Sequence, residues 1–387
     1  MTAANILPDS DLTGELCAFA GDVRSFAAAK LAPHARQIDE DRQFRHESVQ
    51  ELAEAALLGG PISAEFGGQD WTPLQLAVAH EEIGAVCGNT RGFLAVHTGL
   101  VSQCIEAEGD DAQRSRWLPL LTGGDMIGCF ALTEDEAGSD VASLATRADP
   151  DGDGYTLHGG KVWITNGGIA DLAIVFATVD AAKGRDGITA FLVNTDEAGF
   201  GRSPMPGIEL GHRGSDHARL KLDGVRVGAD SVLGGVGRGF QVAMNGLSAG
   251  RLSVAAGAVG IHRAALAAAI EFTNQRVQFG KPIAAFQMVQ ERIADMTVEL
   301  MASRALVHRC AARRQTGTET PADLAAAKLY STEAAARAAE QAVMLHGGRG
   351  YSSEYPVERL LRDIQGLRIY EGTTMIQKGI LARSVLR

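Results

Sequence analysis

The feature that most constrains the fold of this chain is a change of residue pattern along its 387 residues. Residues 11 to about 125 are rich in Ala and Leu, with few runs of β-branched residues, and this pattern returns from about residue 239. Between these regions, short β-rich segments alternate with turn residues. Because helices and strands differ in these patterns, we predict an α+β fold with helices first, then a sheet, then helices.

Within the middle region, turn residues separate short segments of strand character. Turn residues at 151–154 and at Gly159-Gly160 flank segments 155–158 and 161–165, in a pattern typical of a hairpin. Further strands are predicted at 172–179, 188–194 and 218–222. Strands at this spacing, without long helices between them, indicate an antiparallel sheet or barrel.

The C-terminal region shows both helical periodicity and helix-end signals. Thr320-Pro321 is a predicted helix start, with a Thr cap and Pro in the first turn, and Gly347-Gly348 is its predicted end. One apolar stripe at helical spacing comprises Val289, Ile293, Met296, Leu300 and Val307. The domain limits that we predict are 1–125 (helical), 126–235 (antiparallel β-barrel) and 236–387 (helical).

Composition and charge exclude several classes of protein. The formal net charge is −11, which disfavours general binding to nucleic acid or to an anionic membrane. Five scattered cysteines without a CxxC pair indicate reduced thiols, and the N-terminus lacks the features of a signal peptide, so we expect a cytoplasmic protein. The apolar stretch 254–270 is interrupted by His262-Arg263 and predicts a buried helix, not a membrane span.

Two common motifs are missing from the sequence. There is no GxGxxG after a strand and no HExxH. The ten histidines have no metal-ligand spacing, so we predict no metal site.

Three segments carry candidate chemistry. The first, 131–140, clusters small and hydroxylated residues where the sheet begins; it is either a polar turn or a loop whose amides and hydroxyls grip a ligand. The second, 160–168, places Trp163 and Thr165 on one face of a strand, where they form either ordinary core packing or a support for a flat heterocycle. The third, 368–374, contains Glu371 before Gly372, either as a solvated residue at a helix start or as a base in an apolar pocket.

Together and in this order, these segments resemble the acyl-CoA dehydrogenase family, over nearly the whole chain. The similar segments are ALTE with AGSD (131–134 and 137–140), WITNGG (163–168), LGHRGSD (210–216), RVQFGKP (276–282), HGGRGY (346–351), the Arg362-Asp363 pair and IYEGT (369–373). The resemblance implies an N-terminal helical domain, a middle β-domain and a C-terminal four-helix bundle. It also implies non-covalent FAD and a homotetramer in which neighbouring subunits complete each flavin site.

The resemblance also implies roles for individual residues. Trp163 would lie against the flavin ring and Thr165 would donate toward its N5 region, while Arg276 and Phe279 would meet the adenine-side phosphates. The implied cofactor-binding residues are Phe130, Leu132, Thr133, Trp163, Ile164, Thr165, Arg276, Phe279, Gln287, Met344, Gly347, Gly348, Thr373 and Met375. The implied substrate-binding residues are Ser139, Arg251 and Gly372.

Glu371 occupies the position of the family's usual catalytic base. In one subgroup the base instead precedes the residue that matches Arg251, and here that position is Gly250. The implied reaction is removal of the α-proton by Glu371 and of the β-hydride by flavin N5, which yields a 2,3-enoyl thioester. Three departures from the family pattern are Met344, Met375 and the acidic pair Asp135-Glu136.

Alternative functions share this fold. The acyl carrier is either coenzyme A or an acyl carrier protein of a biosynthetic pathway, and the electron acceptor is either an electron-transfer flavoprotein, as is usual in the family, or oxygen. A flavin monooxygenase is disfavoured by Glu371, and a non-catalytic assembly protein has no physical need for Glu371, Trp163 and Thr165 together. We expect the acyl pocket to be lined around His97 and Leu247.

Overall fold

The N-terminal third of the chain is helical. A computed structural model describes residue 12 and residues 14–386. The helices are α1 (Gly14–Phe26), α2 (Ala35–Asp41), α3 (Glu47–Glu54), α4 (Pro73–Gly84), α5 (Gly88–Val96), α6 (Gln103–Glu108) and α7 (Asp111–Gly123). A π-helical segment, His97–Ser102, joins α5 to α6. Reciprocal side-chain and backbone hydrogen bonds cap α4 at Thr72 and α7 at Asp110, which satisfies N–H groups that the first helical turn leaves free.

The middle of the chain forms a sheet of eight strands. They are β1 (Gly128–Ala131), β2 (Arg147–Asp151), β3 (Gly154–Thr165), β4 (Leu172–Thr178), β5 (Ile188–Asn194), β6 (Phe200–Pro204), β7 (His217–Gly228) and β8 (Val232–Leu233). Their order is β6-β7-β3-β2-β4-β5-β8, and β1 pairs with β4. The strands predicted from 172, 188 and 218 are therefore confirmed.

Two features of the sheet add detail to the predicted antiparallel β-domain. Most pairs are antiparallel, but β4 pairs in parallel with β1 and with one residue of β2. The strand order has two ends, β6 and β8, and no hydrogen-bonded pairing between these two strands is found in the described residues.

Gly159-Gly160 is not a turn. The segments on either side of it form one strand, β3, and the hairpin to β2 turns at 151–154 instead. Gly159 has φ +149°, and a Cβ there would lie 2.6 Å from Thr146 Oγ1. Glycine at this position allows a close approach of the neighbouring strand beside an irregularity in the β3–β7 register.

The C-terminal part returns to helices. They are α8 (Gly239–Gln275), α9 (Gln287–Gln315), α10 (Pro321–His346), α11 (Val357–Ile369) and α12 (Thr374–Val385). A two-stranded hairpin, β9 (Val277–Gln278) with β10 (Lys281–Pro282), follows α8. Helices α8 to α11 pack together, as expected for a four-helix bundle. The short helix α12 is an addition to this bundle and packs on α10. Thr320 caps α10 as predicted, with Pro321 in the first turn, and the helix ends before Gly347.

Helix α8 is long and apolar enough to cross a membrane by length and composition. In its most apolar window, 72% is buried inside the protein, as predicted for a core helix. Helices α4, α9, α10 and α11 cover it.

The sheet is buried on both faces. Val175 of β4 faces a core shared with the N-terminal helices, whereas its neighbour Phe176 faces a second core shared with Leu100 and with Val242 of α8. Alternation of side chains along β4 thus joins both helical regions to the sheet. The functional cleft lies among these three parts of the chain.

Candidate active site

A cleft lies between α5, the ends of β1 and β3, the loop before β7 and the loop before α12. Apolar residues and a small number of polar groups line it, which is typical of a small-molecule site. The lining residues are Arg91, Gly92, Ala95, Val96, Leu100, Phe130, Leu132, Thr133, Trp163, Ile164, Thr165, His212, Ser215, His217, Leu247, Tyr370 and Glu371.

Trp163 is an exposed aromatic side chain in the wall of this cleft. It is 54% exposed, so it is not ordinary core packing. Its φ is +57°, and the pairing of β3 with β7 shifts register between Lys161 and Ile164. This irregularity breaks the simple alternation that the sequence suggested, and the consecutive residues Trp163, Ile164 and Thr165 all line the cleft.

Among the described residues that line the cleft, Glu371 carries the only carboxylate. Its Oε2 is buried and has no hydrogen-bond partner among the described residues. Burial raises the pKa of Glu371 to about 7, against the opposing charges of Lys328, Arg91 and Arg251. A carboxylate with this pKa is suited to proton transfer near neutral pH.

The backbone on both sides of Glu371 is held by three side chains. Lys328 Nζ donates to the carbonyls of Tyr370 (2.8 Å) and Gly372 (2.5 Å). Arg251 Nε donates to the Glu371 carbonyl (3.3 Å), and Gln377 Nε2 donates to Gly372 (2.9 Å) and Glu371 (3.2 Å). These bonds stabilise Glu371 in a left-handed conformation, φ +53°, that non-glycine residues rarely adopt.

Sequence reasoning gave no role to Lys328, Arg91 or Tyr370. Lys328 lies on one face of α10 with the buried residues Leu324, Ser331 and Ala335. A lysine among largely apolar residues at helical spacing is unusual, and this pattern in the sequence could have indicated a functional role. For Arg91, which is 1% exposed, the sequence offered no comparable signal because its direct neighbours are Thr90 and Gly92. Tyr370 accepts a hydrogen bond from Arg91 Nη2.

Most of the cofactor residues implied by the resemblance fall into two separate places. Six line the cleft: Phe130, Leu132, Thr133, Trp163, Ile164 and Thr165. Phe279, Gln287 and Met344 line a second, open groove near β9 and α9, and Arg276 caps the nearby end of α8. Gly347 and Gly348 follow α10, with no atom within 4 Å of a Cβ built at either.

The remaining predicted residues lie around the loop after α11. Thr373 caps α12, accepting from the Ile376 N–H (3.3 Å), and Met375 is exposed in the first turn. Gly372, with φ +88°, and Arg251 lie beside Glu371, whereas Ser139 is exposed and outside the cleft lining.

Of the two expected acyl-pocket residues, Leu247 lines the cleft and His97 does not. His97 is fully buried; its Nε2 is 3.0 Å from the Leu121 carbonyl, and its Nδ1 accepts from the Gly128 N–H. His97 therefore links the N-terminal helices to β1.

The fold and the cleft together define a three-part oxidoreductase of the type that the sequence resembled. The chain belongs to the acyl-CoA dehydrogenase family. Models of the family's N-terminal, middle and C-terminal domains match residues 13–125, 129–225 and 237–386. A short-chain specific acyl-CoA dehydrogenase of Clostridium acetobutylicum is 37% identical over 379 residues, which cover 98% of this chain and 100% of the relative.

Solved structures agree with this assignment. Butyryl-CoA dehydrogenase from Megasphaera elsdenii has a TM-score of 0.94 at 37% identity, covering 97% of this chain and 99% of its own. A glutaryl-CoA dehydrogenase from Mycobacterium smegmatis in complex with FADH2 has a TM-score of 0.94 at 31% identity, covering 100% and 98%. A chain described with the electron transferring flavoprotein of Acidaminococcus fermentans has a TM-score of 0.95 at 34% identity, covering 97% and 99%. The predicted family, fold class and enzyme class, an oxidoreductase acting on CH–CH bonds of acyl thioesters, are confirmed.

Proposed function

We propose that this protein catalyses FAD-dependent α,β-dehydrogenation of an acyl thioester to the 2,3-enoyl thioester. The observation that carries the proposal is the buried, unpartnered carboxylate of Glu371 in a cleft that also exposes Trp163 and Thr165. A base with a pKa of about 7 and a flat aromatic wall in one cleft suit proton removal beside a planar cofactor.

The cleft residues fit a flavin ring. An exposed indole, Trp163, beside a hydroxyl, Thr165, offers a stacking surface and a hydrogen-bond donor on the same wall. We propose that the ring is held by Phe130, Leu132, Thr133, Trp163, Ile164 and Thr165, with Thr373 at its edge. When bound there, FAD supplies the acceptor for the hydride that leaves the β-carbon.

The chain's own residues carry the proton and orient the substrate. We propose that Glu371 removes the α-proton with its unpartnered Oε2, and that its main-chain N–H donates to the thioester carbonyl as negative charge develops there. The bonds from Lys328, Arg251 and Gln377 hold the backbone around Glu371 in place for this step. Ser139 and Gly372 are proposed contacts of the thioester.

We propose that the protein is a homotetramer, because the second groove near β9 and α9 exposes large apolar side chains. Phe279 is 94% exposed, and Met288, Met344 and Met375 are exposed as well, an unusual set for a free surface. We propose that Arg276, Phe279, Gln287, Met344, Gly347, Gly348 and Met375 meet the adenosine and phosphate portion of FAD across a subunit boundary. Sedimentation equilibrium tests the assembly, and a monomer at micromolar concentration would contradict it.

The carrier, the electron acceptor and the location are further proposals. We propose coenzyme A as carrier, because relatives are named for acyl-CoA, and an electron-transfer flavoprotein as acceptor in the cytoplasm.

The acidic pair Asp135-Glu136, which departs from the family pattern, does not argue strongly against a phosphate-bearing carrier. Its charge is partly neutralised, since Arg219 makes two hydrogen bonds to Asp135 (2.9 and 3.0 Å). A carrier-protein substrate stays the alternative, and a thioester panel on both carriers separates the two.

The experiment that tests the function is an anaerobic titration of the purified protein. Bleaching of the oxidised flavin band by at least one acyl thioester, with formation of the enoyl product, supports dehydrogenation. A yellow protein that no thioester bleaches contradicts it, and a protein that cannot be loaded with FAD contradicts the cofactor as well.

A further inference from the structure

The cleft contains a buried cation to which no carboxylate is bonded. Arg91 is 1% exposed and lines the cleft together with Glu371. Its Nη2 donates to Tyr370 Oη, while Nε and Nη1 are buried without a hydrogen-bond partner. Among the residues that the structure describes, Arg91 forms no ion pair.

Neighbouring titratable groups form no bond with the two unpartnered nitrogens of the Arg91 guanidinium. Burial, and then the Arg91 charge, lowers the pKa of His80 and of His212 to about 3, so both imidazoles are neutral. Glu371 lies close enough for the Arg91 charge to lower its pKa against the effect of burial, but its Oε2 forms no hydrogen bond with Arg91 or with any other described residue. Asp363 is bonded elsewhere, since its Oδ1 accepts from the His212 N–H (2.7 Å).

The fold makes room for this cation. A Cβ built on Gly257 of α8 would lie 2.4 Å from Arg91 Cδ and 3.1 Å from Nε, so any larger residue would displace the side chain. The Arg91 guanidinium also lies over the Tyr370 ring at 5.7 Å, and the His212 ring contacts Tyr370 at 6.0 Å between centroids. Arg91, His212 and Ser215 all line the cleft, so a ligand there would meet polar side chains beside the apolar ones.

A buried guanidinium without a bonded anion is costly, because burial removes its water and a neutral tyrosine hydroxyl replaces only part of it. Arginine presents a planar fork of N–H donors that matches a carboxylate. We propose that Arg91 binds a carboxylate on the acyl group, so that the preferred substrate is the thioester of a short dicarboxylic acid. This inference rests on the proposed dehydrogenation and specifies its substrate class.

The test compares pairs of thioesters that differ only in the terminal group of the acyl chain. The pairs are butyryl with succinyl, valeryl with glutaryl, and hexanoyl with adipoyl, each on coenzyme A. We measure flavin reduction and the dissociation constant from the change in the flavin spectrum. We expect one carboxylated member to exceed its neutral partner in kcat/KM by about 100-fold or more, as for a charge-assisted pair in a buried site.

Substitutions then assign that preference to Arg91. In Arg91→Met, kcat/KM for the carboxylated substrate should fall by about 100-fold relative to its neutral partner, chiefly through KM, while Arg91→Lys should retain part of the preference. A role confined to holding Tyr370 would lower both members of a pair equally and would overturn the inference. If Arg91→Met does not fold, the wild-type preference and Arg91→Lys decide the question.

The outcomes separate this inference from the proposed function. A wild-type protein that is bleached equally well by neutral and carboxylated members supports dehydrogenation and overturns the role of Arg91. A protein that no thioester bleaches overturns the proposed function, and the substrate class with it.

Discussion

Gly250 of α8 leaves the space that the Glu371 carboxylate occupies. A Cβ built on Gly250 would lie 2.0 Å from Oε2 and 2.4 Å from Cδ of Glu371, although the two residues are far apart in sequence. In the subgroup that places its base before the arginine matching Arg251, a side chain stands at this position. In this chain, a base at Glu371 requires the absence of a side chain at 250.

Gly250→Ala should therefore slow flavin reduction although the methyl group is small. The new Cβ forces the Glu371 carboxylate to shift, and a displacement near 1 Å at a reacting group can cost about 100-fold in rate. Alanine is also the better helix former by about 1 kcal/mol. A slower reduction in this variant could therefore not be explained by a weaker α8 helix. Single-turnover reduction under anaerobic conditions measures the change.

Gly379→Ala in α12 is the matched control. The nearest atom to a Cβ there is Arg383 Nη1 at 3.4 Å, an ordinary contact with a flexible side chain. It should leave the reduction rate unchanged. Equal rates for Gly250→Ala and wild type would show that the carboxylate does not need this space during catalysis.

Glu371→Gln should bind FAD but lose proton abstraction. The amide preserves the size of the side chain while removing the base, so reduction should slow by at least about 10³-fold. Stopped-flow absorbance measures the rate, and the flavin-to-protein ratio checks cofactor binding. Glu340→Gln, an exposed residue on α10, should reduce at the wild-type rate. Rapid flavin reduction in Glu371→Gln would show that another residue acts as the base.

The pH dependence should report the buried carboxylate. Glu371 must be deprotonated to act as a base, and its pKa is raised to about 7 by burial. The rate of flavin reduction should therefore fall as pH drops below 7, by about tenfold per unit, and level off above it. A rate that stays flat down to about pH 5, well below this pKa, would contradict a base in a buried site.

Lys328 should set the position of this pH profile. Its charge lowers the pKa of Glu371, so Lys328→Met should move the profile to higher pH and reduce the rate at pH 7. Lys328→Arg retains the charge and should leave the profile closer to wild type. The exposed Lys378→Met is the matched control. A purely structural Lys328 would change stability without moving the profile.

Much of the site was predictable because its residues are close together in sequence. Trp163 and Thr165 lie in one segment, and Glu371 and Gly372 lie in another. Each segment could therefore be recognised as a candidate site from its own residues. The conformations within them were not predictable: a register shift and a positive φ bring Trp163, Ile164 and Thr165 to the same cleft, against simple alternation.

The supporting residues could not be predicted from local pattern. Lys328 holds carbonyls 42 and 44 residues away, and Arg91 bonds a tyrosine 279 residues away. Such contacts arise only when α5, α10 and the loop after α11 pack together. Gly159 shows the same limit for the fold: glycine suggested a turn, but the tertiary reason is the close approach of Thr146.

Trp163→Ala should weaken flavin binding more than folding. The indole is 54% exposed, so its removal should change the free energy of unfolding by less than about 1 kcal/mol. Loss of a stacking surface should raise the dissociation constant of FAD by about tenfold or more. Flavin fluorescence during titration of the apoprotein measures binding, and thermal unfolding of the apoprotein measures stability. Trp163→Phe keeps an aromatic face and should retain most of the affinity. An unchanged dissociation constant in Trp163→Ala would remove this residue from the flavin site and leave its exposed ring without a role in the cleft.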